Sequence, residues 1–233
     1  MKEIRQAAVI GLGLIGGSLA RELSARGIRV LGYDRDEARV RAALRDGGIH
    51  AVLNPELEGI DTADIVVIAV PVAIAPDILQ AALPRLGRVR LVVDVGSTKA
   101  SIMAAAGALG IGSQFVGCHP LAGDHRSGWE ASRLGMFQGA RVFLCPTTET
   151  GEDALGLAWE FWRMLGAHPE VEDAMEHDRR LAWTSHLPQA VSTALALALG
   201  GAGIERRELG PGGRDMTRLA GSSPELWTDI ALD

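Results

Sequence analysis

The sequence predicts an α/β protein, an N-terminal Rossmann-type doubly wound sheet followed by an all-α C-terminal domain. Three features predict it. Runs such as "DIVVIAVP" (64–71) and "VRLVVDVGS" (89–97) are apolar on both faces, the mark of parallel strands covered by helices above and below. These runs alternate with helical patterns, which calls for right-handed crossovers between parallel neighbours. Beyond Pro146 the alternation stops and helical patterns take over. The predicted division is 1–148 for the sheet domain and 149–233 for the helical one.

A strand over 7–10 runs into Gly11, after which Leu14, Ile15, Leu19 and Leu23 recur at helical spacing until Gly27 closes the helix. A second strand covers 28–33, a charged helix 36–45 and a short extended stretch 50–53. The strand at 64–71 leads into an Ala/Leu-rich helix from near Val72. The strand at 89–97 leads into a helix at 99–109, and strands at 115–118 and 141–145 complete the sheet. In the second part, 151–165 is one amphipathic helix, "AHPEVED" a short extended piece, and 173–199 a long helix interrupted at Pro188. Proline inside a helix removes a hydrogen bond and kinks it, freeing backbone groups near Ser185 and His186. The tail carries a Gly-rich turn, "LGPGGRD", and one short helix.

A chain of 233 residues can bury a sizeable core. Its 29 glycines and 4% aromatic content suit alternating strands, helices and tight turns better than a β-sandwich. A net charge of −6, with no Lys/Arg cluster able to follow a phosphate backbone, argues against nucleic acid and for a small-molecule partner. No run reaches the roughly 18 apolar residues of a membrane span, and the strand–turn–helix start is unlike a signal peptide. Cys118 and Cys145 lack the spacing of a zinc or redox motif and read as buried thiols, so no metal is expected and the compartment is expected to be the cytoplasm.

"VIGLGLIGGSL" places Gly11, Gly13 and Gly16 in G-x-G-x-x-G spacing between a strand and a helix, the context that a dinucleotide fingerprint requires. Gly11 permits the tight turn, Gly13 the approach of a pyrophosphate, and Gly16 close packing of helix on strand. Leu14 and Ile15 open the helix, whose N-terminus attracts phosphate charge. Asp34 ends the second strand, 23 residues after Gly11, where a carboxylate accepts from the ribose hydroxyls and repels a 2′-phosphate. NAD is therefore favoured over NADP. Arg35 either offsets part of that repulsion or is simply solvated. Val70, Pro71 and Ser97 follow neighbouring strands and join the candidate cofactor contacts.

A nicotinamide cofactor needs a partner that takes a proton as hydride leaves a carbinol carbon. Such groups sit beyond the carboxyl ends of the strands, where Ser97 and His119 fall. An imidazole titrates near neutrality and suits the role, with a serine hydroxyl to hold it or the substrate oxygen in line. From position alone, a satisfied strand-end histidine fits His119 equally well. Arg214 and Asp215 fit an ion pair across the Gly-rich turn as well as a substrate contact. Lys99 fits either a solvated side chain or one that approaches the cofactor. His50, His168 and His177 read as surface or capping residues.

Taken together, "GLGLIGGSLA", "DVGSTK", "HPLAG", "SHLPQA", "GGRDMTRLA" and "SPELWTDI" resemble, in order and spacing, the prephenate/arogenate (cyclohexadienyl) dehydrogenase family of tyrosine biosynthesis, over residues 7–230. The resemblance implies an NAD(P) domain, a helical domain that forms a homodimer, and a substrate held between them. It implies that His119 is the catalytic acceptor and that Ser97 hydrogen-bonds both this histidine and the substrate hydroxyl. It also assigns His186 and Arg218 to substrate binding, with Arg218 on a carboxylate. Beside the resemblance, Asp215 and Trp227 are further candidates, Trp227 reading more readily as a core or interface anchor. The implied reaction is oxidative decarboxylation of prephenate or arogenate with NAD, giving 4-hydroxyphenylpyruvate or tyrosine.

Two departures from the family pattern bear on this. Asp124 and His125 stand where several relatives carry a threonine–glutamate pair, and Asp124 is one candidate partner for the arogenate ammonium. Relatives also continue beyond the position of Asp233, so either the sequence is cut short there or the helical domain is reduced. Two rival readings are a β-hydroxyacid-type NAD dehydrogenase and a non-catalytic NAD-binding regulatory protein. The first usually relies on a lysine in the long interdomain helix, and 173–199 contains none.

Overall fold

The computed structural model describes residues 4–124 and 126–233, so His125 lies outside the described residues. β1 (Gln6–Ile10), α1 (Leu14–Ala25), β2 (Arg29–Tyr33), α2 (Glu37–Arg45) and β3 (Ala51–Val52) form the first half of the sheet. β4 (Ile65–Ile68), α3 (Ala75–Ala82), β5 (Leu91–Asp94), α4 (Ala100–Ala108) and β6 (Phe115–Pro120) form the second. The strand order is β3-β2-β1-β4-β5-β6, continued by β7 (Arg141–Pro146) and β8 (His168–Val171). All neighbours are parallel except β6 and β7.

Side chains alternate across the sheet as the period of two requires. Ala7, Val9, Ile65, Val67, Leu91 and Val93 pack on one face with Leu19 and Leu23 of α1, whereas Ala8, Ile10, Val66, Ile68 and Val92 pack on the other with Leu79 of α3 and Ile102 of α4. Each fully buried aliphatic chain of this kind contributes about 1.5–3 kcal/mol relative to exposure.

One expectation needs correction. The antiparallel β7 breaks the simple alternation, because the described residues of 121–140 form no crossover helix, only a 3₁₀ turn at Trp129–Ala131. A chain that turns back without a crossover can only enter its neighbour's edge antiparallel. Sheet-packed elements also continue beyond residue 148. α5 (Glu152–Met164) buries Phe161 and Trp162 against the sheet, and β8 pairs in parallel with β7. As the edge strand, β8 buries only Pro169 fully, so its sequence lacks the long apolar run that marked the inner strands.

The helical part runs from α6 (Ala174–Leu181) through α7 (Leu187–Gly201), α8 (Pro211–Met216) and α9 (Pro224–Leu232). The break expected at Pro188 is a five-residue π-helical turn, Ala182–His186, that joins α6 to α7. Pro188 has no N–H for the Thr184 carbonyl, and a widened turn accommodates that loss. Only Gln189 and Ser192 of α7 are buried, so its Ala/Leu-rich surface is largely open, with Val191 48% and Leu197 71% exposed.

Candidate active site

The strand order reverses between β1 and β4, the switch point at which doubly wound sheets form a crevice beyond the carboxyl ends of their strands. Gly11 takes φ +98°, and a Cβ there would lie 2.3 Å from the Ala69 carbonyl oxygen. A Cβ on Gly16 would lie 1.9 Å from the Gly11 oxygen, whereas one on Gly13 would meet nothing within 4 Å. The N-terminus of α1 carries neither a side-chain cap nor an acidic residue in its first turn. Uncapped N–H groups facing an open glycine are the donor set that a pyrophosphate requires, so the chain fits a dinucleotide. Leu14 and Ile15 in this first turn are half-buried and lie 3.6 Å from the position of a Cβ on Gly123, so the loop after β6 closes over them.

Asp34 follows β2 and accepts from the N–H groups of Leu12 (2.7 Å) and Asp36 (2.9 Å). These bonds fix the carboxylate at the crevice rim, and Arg39 approaches to 3.6 Å. Arg35 is exposed, Val70 half-buried and Pro71 exposed.

His119 lies within β6, one residue before its end, and is buried. Its Nδ1 sits 2.9 Å from Nε2 of His177, whose own Nδ1 is 2.7 Å from Asp178 Oδ1. His177 is fully buried, with its ring edge-on to those of both His119 and Phe143 at 5.1 Å. The reading of His177 as a surface or capping residue is thus corrected. The "EHDRR" stretch looks like an ordinary charged helix start, and only β6 and β7 reveal the role of its histidine. His50 does cap, with Nδ1 accepting from Val30 N at 3.1 Å, and His168 is exposed at the start of β8.

Asp178 also accepts from Lys99 N (2.9 and 3.1 Å) and Ala100 N (2.8 Å), capping from α6 a helix that has no side-chain cap of its own. Burial alone would raise the Asp178 carboxyl, but the His177 and backbone hydrogen bonds outweigh it and hold the group below its usual range. Lys99 is fully buried and ion-paired to Asp94, whose carboxylate also accepts from Gly96 N and Cys118 N, so Lys99 is neither solvated nor turned to the crevice.

Burial, then the positive charge of Lys99, then His177 and His186 push the His119 imidazole well below its ordinary pKa, against a smaller opposite pull from Asp178. It is therefore neutral and able to accept a proton. Ser97 is half-buried at the β5–α4 loop, and among the described residues no hydrogen bond joins it to His119. His119 Nδ1 is instead met by His177, because α6 packs against α4 and delivers an imidazole there.

His186 closes the π turn, half-buried, with its ring edge-on to Trp227 at 5.9 Å. Burial lowers its pKa as well, with Asp178 opposing. Arg218 is exposed and, among the described residues, has no ion-pair partner, which leaves its guanidinium available to a carboxylate. Asp215 is exposed too. Arg214 donates to the Arg207 carbonyl at 3.2 Å and is not ion-paired to Asp215. Asp124 is clamped by Arg126 and Arg133, which hold its carboxyl far below the ordinary carboxylate range, Arg126 foremost. Two guanidiniums already neutralise it, and this weakens its candidacy as a partner for an ammonium.

A doubly wound sheet with a glycine-cradled helix start, a strand-end carboxylate and a neutral buried base belongs to the class of dinucleotide-dependent oxidoreductases. Comparison narrows the class: the chain belongs to the prephenate dehydrogenase family. Residues 19–171 match the family's nucleotide-binding domain and residues 173–233 its dimerization domain. The chain is 32% identical to the cyclohexadienyl dehydrogenase of Zymomonas mobilis, with 100% of this chain and 82% of the relative covered. It is 34% identical to the prephenate dehydrogenase of Bacillus subtilis, with 95% of this chain but 62% of that longer relative covered. Among solved structures, prephenate dehydrogenase from A. aeolicus in complex with hydroxyphenyl propionate and NAD+ superimposes with a TM-score of 0.91 at 30% identity, covering 99% of this chain and 83% of that one.

Proposed function

We propose that the protein is an NAD-dependent enzyme that oxidatively decarboxylates prephenate or arogenate, giving 4-hydroxyphenylpyruvate or tyrosine. The observation that carries this reading is the neutral, buried His119 at the end of β6, in a chain whose glycine cradle and Asp34 fit NAD. When bound, NAD supplies the hydride acceptor. Gly11, Gly13 and Gly16 with the first turn of α1 hold the pyrophosphate, and Asp34 takes the ribose hydroxyls. Arg35, Val70, Pro71 and Ser97 lie around the rest of the dinucleotide.

His119 receives the hydroxyl proton of the substrate on Nε2, and Ser97 steadies that hydroxyl. With hydride and proton gone, the ring carbon becomes a carbonyl. The carboxylate on the opposite ring carbon then leaves as carbon dioxide, the bonding pair moves through the ring to the carbonyl, and the oxygen takes up a proton as a phenol. Aromatisation makes the sequence effectively irreversible. Arg218 binds a substrate carboxylate with paired charge-assisted bonds, and His186, Asp215 and Trp227 line the same cavity.

The domain division consistent with β8 in the sheet lies at residues 172–173. We assign a homodimer formed through the helical part, supported by the exposed Leu187, Val191 and Leu197 of α7. We assign the cytoplasm as the compartment, on the strength of two free, buried thiols that burial raises, Cys145 to about 12. No helix among the described residues is long and apolar enough to cross a membrane. The test is purified protein with NAD and either prephenate or arogenate. Reduction of the nicotinamide together with the aromatic product is expected, and NAD binding without turnover on either substrate would overturn the reading.

A further inference from the structure

The geometry points to a positioning relay behind the base: Asp178 and His177 fix which nitrogen of His119 carries its proton. The inference deepens the proposed function and rests on it for its kinetic consequence. Its structural content stands on four bonds.

The Asp178 carboxylate can only accept, and Lys99 N and Ala100 N at the start of α4 hold it in place. Its neighbour at 2.7 Å, His177 Nδ1, must therefore be the donor. With one proton on each ring, His177 presents a bare Nε2, and the group 2.9 Å from it, Nδ1 of His119, carries the hydrogen. One proton remains for each ring, so Nε2 of His119 is left as a lone pair. The orientation begins in the backbone of α4, passes through two side chains of α6 and ends at β6.

Without the relay, His119 could take either tautomer, and the form with Nε2–H cannot accept a proton there. The relay has a second effect. When His119 takes the hydroxyl proton it becomes an imidazolium, and its Nδ1–H already points at a nitrogen backed by a carboxylate. Asp178 thus stabilises that charge through His177 without touching the substrate. The charged and titratable groups facing His119 are Lys99, His177, His186 and Asp178, and of these only Asp178 favours the cation. The arrangement resembles the carboxylate that orients an imidazole in hydrolytic triads, lengthened by one ring.

Two measurements test it. Nitrogen-15 spectra of histidine-labelled protein at neutral pH report the tautomers directly, before any turnover. His119 is expected as the Nδ1–H form, and an Nε2–H form overturns the inference whatever the protein catalyses. The second measurement compares His177→Leu with His177→Gln. Leucine removes the acceptor, whereas the glutamine amide oxygen reaches the place of Nε2 and can still take the hydrogen from His119. His177→Leu is expected to lower kcat about a hundredfold with KM nearly unchanged, and His177→Gln to recover most of that loss. Equal kcat in two variants that fold and bind NAD alike would reduce His177 to packing and overturn the relay. Should the wild-type protein turn over neither prephenate nor arogenate, the proposed activity fails and the spectrum alone decides the relay.

Discussion

A histidine kept neutral by its surroundings leaves a record in both activity and stability. Replacing His119 by Asn should lower turnover by about two orders of magnitude or more while NAD affinity stays within a few-fold, as general-base loss predicts. Stability follows from the direction of the shift. The folded pKa of His119 lies below the unfolded value of about 6.5, so the unfolded chain takes up the proton first. The stability contributed by the neutral ring is thus complete above about pH 6.5 and is lost as pH falls from there through the folded value. His186 shifts in the same direction and adds to the slope. Melting temperature measured against pH should therefore fall below about 6.5, and His119→Asn should flatten that fall. An unchanged slope would mean that the ring is charged in the folded protein.

Among the elements, the β5–α4 loop concentrates the strongest buried electrostatics. Lys99 and Asp94 form a fully desolvated pair beneath the loop that carries Ser97, and the same carboxylate pins Gly96 N and Cys118 N. Removing one partner of a buried pair leaves an uncompensated charge, so Lys99→Met should cost about 3–5 kcal/mol in denaturant unfolding, and adding Asp94→Asn should recover part of it. A Lys99→Met protein as stable as wild type would show that water reaches this pair. The loop is also where α6 reaches into the sheet domain, since Asp178 caps α4 there. The π turn after α6 sets the position of His186, and a π turn of this kind is a device for re-aiming side chains.

At the scale of the whole molecule, the open surface of α7 is the least settled part of an isolated chain. A helix apolar on most sides calls for burial, yet Leu197 and Val191 stand exposed. The homodimer proposed above would cover them. Leu197→Asp should shift sedimentation from dimer to monomer, with little change in the affinity of the sheet domain for NAD. A wild-type protein that sediments as a monomer at micromolar concentration would remove that assignment.

Much of this was legible along the chain because it depends on local order. Period-two apolar runs define inner strands, and three glycines at fixed spacing define a turn that only glycine tolerates, as Gly11 and Gly16 bear out. The carboxylate at the end of β2 needs no more than its place after a strand. Edge strand β8 was legible as a short extended piece but not as a member of the sheet, because an edge faces solvent and loses the apolar signature. The pairing of His119 with His177 escaped for a deeper reason: the two lie 58 residues apart, and nothing in either neighbourhood encodes the other. Sequence by itself determined the fold class, and it marked out the glycine turn and His119 as the candidate base. Tertiary structure alone decided that this imidazole is buried and faces His177 with Asp178 behind it, because burial and hydrogen-bond partners arise only when β6, α4 and α6 are packed together.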